Sequence, residues 1–346
     1  MFSRFDQPPV WIAWERQRRS TTLAAELRAD LKIFEFEPNG IRRYLVLSWK
    51  TIPVLWRWRK KVVFVQNPSM VLSTLASLLR PILGYVLVVD RHSNFIFDHS
   101  KPYTFLERCF LVLNAFTLRY SDVTIVTNST VLDIVKAHSG RPFILPVLMP
   151  ELLPKDQIPA PKPFSPGSRP LEVLFVCSWA SDEPIAEAAK AVATLGAERV
   201  KMHVSGRPRA EFKAALDSAP ENFIVRGFLS DEEYLRLMGE VDCVMAITTA
   251  PATIVCGGAE GVALNKPLIL GDTRELRAHF PSGAIFAKNS SEGIADAIKS
   301  AIDDLPRLRA EMTEFSGRSF AALDKSLDEL AELVRSLQRR ASVDIE

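Results

Sequence analysis

Two parallel, doubly wound α/β domains are the architecture this sequence predicts, and three observations carry the expectation. Apolar, strand-like runs alternate with helical patterns along nearly the whole chain. At 346 residues the chain exceeds one ordinary core and suits two domains of ~150 residues each. Seven prolines, at 150, 154, 159, 161, 163, 166 and 170, break the alternation once, because neither a helix nor a central strand tolerates that density. The predicted division is therefore a domain over 1–150, a stiff linker over 151–170 and a second domain over 171–319. A charged helical segment with the apolar stripe Leu327, Leu330, Leu333, Val334 and Leu337 closes the chain over 320–346.

Composition excludes several function classes. The chain is 47% hydrophobic and 24% charged with a net charge of +2, so no global field points to nucleic acid. Cys109, Cys177, Cys243 and Cys256 have no C-x-x-C spacing, and Cys177 and Cys243 lie in apolar runs. They read as free thiols in a reducing compartment. The N-terminal MFSRFDQPPVW has no basic region leading into an apolar core, and no run of ~18 apolar residues occurs. The expected location is the cytoplasm.

In the first half, Val10 to Trp14 reads as a strand, followed by Glu15-Arg-Gln-Arg-Arg19 and a helical pattern from Leu23 to Leu31. Ligands of parallel sheets bind at the carboxyl ends of strands, so Glu15, Arg18 and Arg19 are candidate ligand-site groups. After a strand over Lys32 to Glu37, the stretch Tyr44 to Lys61 interleaves aromatics with cations, the composition of a helix lying in a bilayer interface or on an anionic lipid surface. Val62 to Val65 and Tyr85 to Val89 are further buried strands, separated by a helix over Met70 to Leu79. The second of these strands runs into Asp90-Arg91-His92, and either Asp90 or His92 is a candidate general base toward a ligand hydroxyl. A helix over Phe105 to Leu118, a strand over Asp122 to Thr127, a short helix over Val131 to Ala137 and a strand over Phe143 to Val147 complete this half.

The second half repeats the pattern. Strands over Leu171 to Cys177, Val200 to Val204, Phe223 to Val225 and Asp242 to Ile247 end respectively in Ser178-Trp179, Gly206-Arg207, Gly227-Phe228 and Thr248-Thr249. Arg207 is a candidate cation for a diphosphate, and Phe228 a candidate platform for a nucleobase. The segment Thr248 to Asp272 then passes through Gly257 and Gly258 into a short helix, the turn Asn265-Lys266-Pro267 and the apolar run Leu268-Ile269-Leu270. A glycine-bearing helix N-terminus suits a diphosphate, and Glu260 is placed one turn in to accept ribose hydroxyls.

Glu260-Gly-Val-Ala-Leu-Asn-Lys266-Pro267 resembles the E-A-(M/L)-A-x-G-K-P segment of GT-B nucleotide-sugar glycosyltransferases, notably glycosyltransferase family 4. Many relatives carry a further Glu eight positions upstream; here that residue is Ala252. Val65-Gln66-Asn67-Pro68, Val89-Asp90-x-His92-Ser-Asn, Glu107 ahead of Ser121-Asp122, and Ser178-Trp179-x-x-Asp182-Glu183 are similar to the β-1,4-mannosyltransferase that acts on dolichol-diphosphate chitobiose. The resemblance implies two Rossmann-like domains facing a cleft, with the last helix crossing back to the first domain.

It also implies a glycosyltransferase that needs neither metal nor cofactor beyond its nucleotide-sugar substrate. Ser178, Trp179, Arg207, Phe228, Gly257, Gly258 and Glu260 are the expected donor-binding residues. Glu15, Arg18, Arg19 and Asn67 are the expected acceptor-binding residues, and Asp90 and His92 the catalytic ones. The implied acceptor is a polyprenyl-diphosphate-linked glycan of surface polysaccharide or glycoconjugate synthesis, reached from the inner face of the cytoplasmic membrane. A sugar-nucleotide 2-epimerase and a non-catalytic partner subunit share the fold and stand as alternatives.

Overall fold

A computed structural model describes residues 4–37, 40–67, 69–92, 103–148, 152, 159–250 and 252–343. The chain forms two compact units, one of residues 1–146 with 322–346 and the other of residues 147–321. Part of the proline-rich stretch, including Pro150 and Pro154, lies outside the described residues, as do Pro68, Ser93 and Asn94 of the quoted motifs.

The first unit runs β1 (Val10–Ala13), α1 (Arg18–Glu26), β2 (Asp30–Ile33), α2 (Ile41–Arg57), β3 (Val62–Asn67), α3 (Met70–Leu83), β4 (Val86–Arg91), α4 (Phe105–Tyr120), β5 (Val123–Val126), α5 (Ser129–Ala137) and β6 (Pro142–Ile144). All neighbours are parallel, in the order β2-β1-β3-β4-β5-β6. Strands β1, β3 and β4 are buried along their length because helices cover both faces, which is why each reads as an apolar run up to its carboxyl end, where β3 turns to Gln66-Asn67 and β4 to Asp90-Arg91. α3 stops at Gly84, whose φ of +67° is the left-handed conformation that closes a helix at low cost in glycine. α4 starts on a reciprocal capping box between Thr104 and Glu107, so the Glu107 of the quoted motif serves the helix start.

The second unit runs β7 (Leu171–Phe175), α6 (Ile185–Leu195), β8 (Val200–Ser205), α7 (Lys213–Asp217), β9 (Phe223–Gly227), α8 (Asp231–Glu240), β10 (Cys243–Ala246), α9 (Cys256–Ala263), β11 (Leu268–Gly271), α10 (Arg274–His279), β12 (Ala284–Ala287) and α11 (Ser291–Val343). Its parallel sheet has the order β12-β11-β10-β7-β8-β9. The apolar core gathers β7, β8 and β10 with α6 and the first turns of α11. Asp242 ties this unit across its base: Arg169 donates to it at 2.6 and 2.7 Å, and Arg309 of α11 at 2.7 Å.

Several boundaries differ from expectation. α1 begins at Arg18 rather than Leu23, because its first turn carries arginines and serine, one arginine of which turns inward. β6 is a short edge strand over Pro142–Ile144. α11 begins at Ser291, well before the segment expected over 320–346, and Pro306 sits inside it; its C-terminal part belongs to the first unit. Arg4 fastens that part by pairing with Asp324 and, at 2.7 Å, with Asp328.

Candidate functional site

Strand order fixes where ligands bind in such sheets: at the carboxyl edge, beside the two strands where the order reverses. In the first unit those strands are β1 and β3, and in the second β7 and β10. The sequence places Glu15, Arg18, Arg19, Gln66 and Asn67 at the first pair of exits and Ser178, Thr248 and Thr249 at the second.

In the first unit the structure joins three of the expected residues. Arg19 reaches from α1 to the end of β4 and grips both oxygens of Asp90, at 3.0 to 3.2 Å. His92 approaches the same carboxylate, Nδ1 lying 3.2 Å from Oδ2. Asp90 is wholly enclosed and Arg19 nearly so, whereas His92 keeps some access to solvent. Burial alone would raise the Asp90 carboxyl, but the Arg19 guanidinium and the His92 hydrogen bond outweigh it and hold the carboxyl at about 2.

Two of the sequence assignments change as a result. An ionised Asp90 has no proton to give, so the bond to His92 requires the proton on Nδ1 and leaves the Nε2 lone pair free. Asp90, held so far below neutrality and saturated by Arg19, is placed to orient His92 and is poorly suited to take a proton itself. Arg19, assigned to acceptor binding, instead neutralises Asp90 and donates to the Pro146 carbonyl at 3.3 Å.

Around this group lie further polar side chains, among them Asn67 of the expected acceptor site and its neighbour Gln66 from the same motif. Gln66 sits beside Asp90 in the β3–β4 register, and its Nε2 is buried without a partner. Asn67 donates to Ser73 at 3.3 Å, while its own Oδ1, and Ser20 Oγ, are buried and unbonded. Such atoms are costly inside a fold and are a recurrent mark of a polar ligand's seat. Glu15 pairs with Arg43 at 3.1 Å on the exposed rim, and Arg18 is half-buried at the start of α1.

In the second unit the loop after β7 is organised by Glu183. Its carboxylate accepts from the amides of Ser178 at 3.0 Å and Ala180 at 2.9 Å. Asp182 binds the loop after β10, accepting from Thr248 Oγ1 and, through its carbonyl, from Thr249 N at 2.7 Å. The two loops at the reversal point are thus stitched together by the acidic pair of the Ser178-Trp179-x-x-Asp182-Glu183 motif. Ser178 itself stays exposed.

Trp179 does not fit its expected role. It is 0% exposed, its Nε1 donates to the Ser205 carbonyl at 2.9 Å, and it packs edge-on against Phe212. It shapes the loop from within and offers no surface to a ligand. Gly206 is obligatory beside it, because φ is +85° and a Cβ would lie 2.2 Å from the Cys177 carbonyl.

Arg207 and Phe228, read from separate strand exits, do meet: the guanidinium lies 5.9 Å from the ring centroid. Phe228 is 77% exposed, so the pair presents a flat aromatic face and a cation to solvent.

The α9 segment also needs correction. No side chain caps its start at Val255, and its first turn carries no acid, so the helix end keeps its positive polarity. Gly257 and Gly258, however, are buried by packing. A Cβ on Gly257 would lie 2.8 Å from Val176, and one on Gly258 2.9 Å from the Phe280 ring. Their small size lets α9 settle against β7 and α10; it is not required for a ligand to approach. Glu260 is 5% exposed and accepts a short hydrogen bond from Tyr234 of α8, a partner sequence spacing could not reveal. Lys266 donates to the carbonyls of Gly239 and, at 3.0 Å, Val241 at the end of α8. Burial lowers its ammonium to about 8. The Lys of this motif is a helix-end clamp.

Among the described residues, no three His, Cys, Asp or Glu side chains gather as metal ligands, and no helix is long and apolar enough to cross a membrane. No family profile matches the chain, and no curated protein is similar to it in sequence. Solved structures do match in fold. HepE from Anabaena, in complex with UDP and glucose, superimposes with a TM-score of 0.69 at 13% identity, over 94% of this chain and 91% of its own. Sucrose-phosphate synthase from Thermosynechococcus elongatus gives 0.69 at 12% identity, over 96% and 99%. A glycosyltransferase from Rickettsia africae gives 0.64 at 12%, over 96% and 99%.

The chain has the GT-B fold. Within that fold, the described side chains bring together Arg19, Asp90 and His92 in one unit, and Arg207 with Phe228 in the other. The polarised α9 start is the other feature of the second unit suited to a diphosphate.

Proposed function

We propose that the chain transfers a sugar from a nucleotide-diphosphate donor to a hydroxyl of a glycan acceptor. We further propose that the acceptor is carried on a polyprenyl diphosphate at a membrane surface, in surface-polysaccharide or glycoconjugate synthesis. The observation that carries the reading is the Asp90–His92 pair at the carboxyl edge of a GT-B sheet, with Nδ1 committed to Asp90 and Nε2 left as a base.

In the step we envisage, His92 Nε2 takes the proton of the acceptor hydroxyl as its oxygen bonds the anomeric carbon. The bond from that carbon to the diphosphate breaks, and the nucleoside diphosphate leaves with the electron pair. Charge growing on the leaving group is met by the α9 N-terminus and by Arg207. Phe228 stacks on the base, and Glu260, oriented by Tyr234, receives the ribose hydroxyls. Gln66 and Asn67 supply hydrogen bonds to the acceptor sugar, consistent with their unbonded buried atoms. That several GT-B neighbours were solved with UDP or UDP-glucose supports a nucleotide-sugar donor. The exposed face of α2, within the Tyr44–Lys61 stretch, supports contact with the membrane that presents a lipid-linked acceptor.

A thermal-shift panel of UDP, GDP, dTDP, CMP and ADP, alone and as sugar conjugates, tests the donor half. Saturation at about 100 times Kd adds about 2.7 kcal/mol, a shift of a few degrees for a chain of this size. One nucleotide is expected to stabilise the wild type and to do so less in Glu260→Ala and Arg207→Ala. Stabilisation by none of them would overturn the donor site and favour a non-catalytic GT-B subunit.

A further inference from the structure

A cavity of about 550 Å³ lies at the amino edge of the first sheet, away from the Asp90–His92 group at the carboxyl edge. Its walls come from three separate parts of the chain. Asp6 precedes β1, Arg59, Lys60 and Lys61 form the turn between α2 and β3, and Arg335 and Arg339 lie on α11. Five cations thus face one acid.

Most of those cations are not neutralised by protein. Among the described residues, Arg335 and Arg339 have no ion-pair or hydrogen-bond partner, and Arg335 Nε is enclosed with its hydrogen-bonding capacity unmet. Arg59 lies 5.8 Å from the Trp56 ring and Lys61 6.0 Å from the Trp58 ring, both in cation–π geometry that leaves the charge available to an anion. Holding like charges together around one cavity is unfavourable, and an anion entering it relieves their repulsion.

The neighbourhood names the source of that anion. Trp56, which Arg59 overlies, is 59% exposed and ends an exposed apolar stripe of Ile41, Leu45, Trp49 and Ile52 along α2. Tryptophans and basic residues at the end of an apolar helix face are the combination that seats a helix at the level of lipid headgroups. A soluble anion would need no such flank.

We propose that the cavity between Arg59–Lys61 and Arg335/Arg339 is a binding site for the phosphate of an anionic phospholipid headgroup, anchoring the first unit on a bilayer. It rests on the membrane-surface part of the proposed function, not on the donor site or the chemistry. Because two of the five cations come from α11, the site exists only when the C-terminal part of that helix is docked on the first unit.

The test is sedimentation of the full chain with vesicles of phosphatidylcholine alone and of phosphatidylcholine mixed equally with phosphatidylglycerol. The double variant Arg335→Gln/Arg339→Gln is expected to lose affinity for the anionic vesicles by about thirtyfold, at roughly 1 kcal/mol per cation at the surface. Lys136→Gln/Lys325→Gln, which removes the same charge from exposed positions outside the cavity, is expected to change it by less than about threefold on the same basis. Equal melting temperatures and an undiminished nucleotide-induced shift in all variants separate loss of this site from misfolding or failure of the donor reading.

Three results would overturn the proposal. One is equal binding of wild type to both lipid compositions. Another is equal weakening by the two double variants, which marks diffuse charge. The third is stabilisation of wild type, but not of Arg335→Gln/Arg339→Gln, by inorganic phosphate or glycerol phosphate without vesicle binding, which marks a soluble ligand.

Discussion

Replacing Asp90 with Asn keeps the shape of the side chain at the end of β4 and removes the charge that Arg19 and His92 both face. The wild-type carboxyl is held at about 2 against an ordinary value of 3.8. That difference is worth about 2 kcal/mol of folding free energy at neutral pH, at 1.36 kcal/mol per unit. A folded value below the unfolded one means the contribution is complete above 3.8 and is lost as pH falls toward 2. The variant also strands Arg19 as a buried charge, and breaking such pairs costs about 3–5 kcal/mol. Urea titrations followed by tryptophan fluorescence, at neutral pH and in steps through the acid range, measure both quantities.

Asp90→Asn is expected to be less stable by about 3–5 kcal/mol at neutral pH and to lose this part of the acid limb. Arg19→Met should cost a similar amount alone but add little when combined with Asp90→Asn, since the double variant leaves no unpaired charge. A loss below about 1 kcal/mol, or additive single effects, would refute the buried pair. In turnover, the Asn amide can donate to Nδ1 and push the imidazole proton to Nε2, so a His92 base would lose about 10²- to 10⁴-fold in rate. Normal turnover in a folded Asp90→Asn would refute the base assignment while leaving the stability argument intact.

Three further expectations follow from the second unit. Tyr234→Phe removes the hydrogen bond to Glu260 and should cost about 1.5–3 kcal/mol, with a smaller nucleotide-induced thermal shift, both read from melting curves. Lys266 titrates at about 8 when folded against 10.5 unfolded, so its contribution grows as pH rises through that window and is lost as pH falls through 8. The stability of wild type relative to Lys266→Met should therefore move in favour of wild type by about 3 kcal/mol across that range, measured by denaturant titration. Gly258→Ala gains helix propensity but drives a Cβ to 2.9 Å from the buried Phe280 ring, and a net loss of about 1–3 kcal/mol is expected; a gain in melting temperature would show that the α9–α10 contact is loose.

Both sheets were legible in the sequence because a strand covered on two faces must be apolar at every position. β10 is written that way throughout, and β3, β4 and β7 are apolar apart from the polar ends of β3 and β4 and Glu172 of β7. Strand exits were legible for the same reason: polarity returns where the sheet ends, and this singled out Asp90, His92, Arg207 and Phe228. What those exits join was not legible. Arg19 meets Asp90 across 71 positions and Tyr234 meets Glu260 across 26, distances over which local pattern carries no information. The glycines of α9 show a second kind of blindness. Gly257 and Gly258 satisfy equally a backbone approached by a ligand and a helix pressed on a sheet, and only the positions of Val176 and Phe280 choose between them. Periodicity also misplaced the start of α1, since the apolar repeat begins one turn after the backbone does.

α2 poses the same ambiguity in energetic form, and there the surroundings make it testable. Leu47, Thr51 and Leu55 face the core, while Ile41, Leu45, Trp49, Ile52 and Trp56 face outward; Trp58 of the same basic and aromatic stretch is buried. Trp49 and Trp56 are 79% and 59% exposed. At roughly 200 Å² per tryptophan and about 25 cal/mol per Å², the two leave on the order of 7 kcal/mol of burial unrealised. Folding leaves that area uncovered, and a lipid interface is one surface that can cover it without ordering a second protein. If it does, Trp49→Ser/Trp56→Ser should weaken sedimentation with both neutral and anionic vesicles by about tenfold or more, because apolar burial does not depend on headgroup charge. The cavity variants should act on anionic vesicles alone. Loss confined to anionic vesicles in the tryptophan variant would mean that these side chains act only by placing Arg59, and the stripe would then have to be covered by something other than lipid.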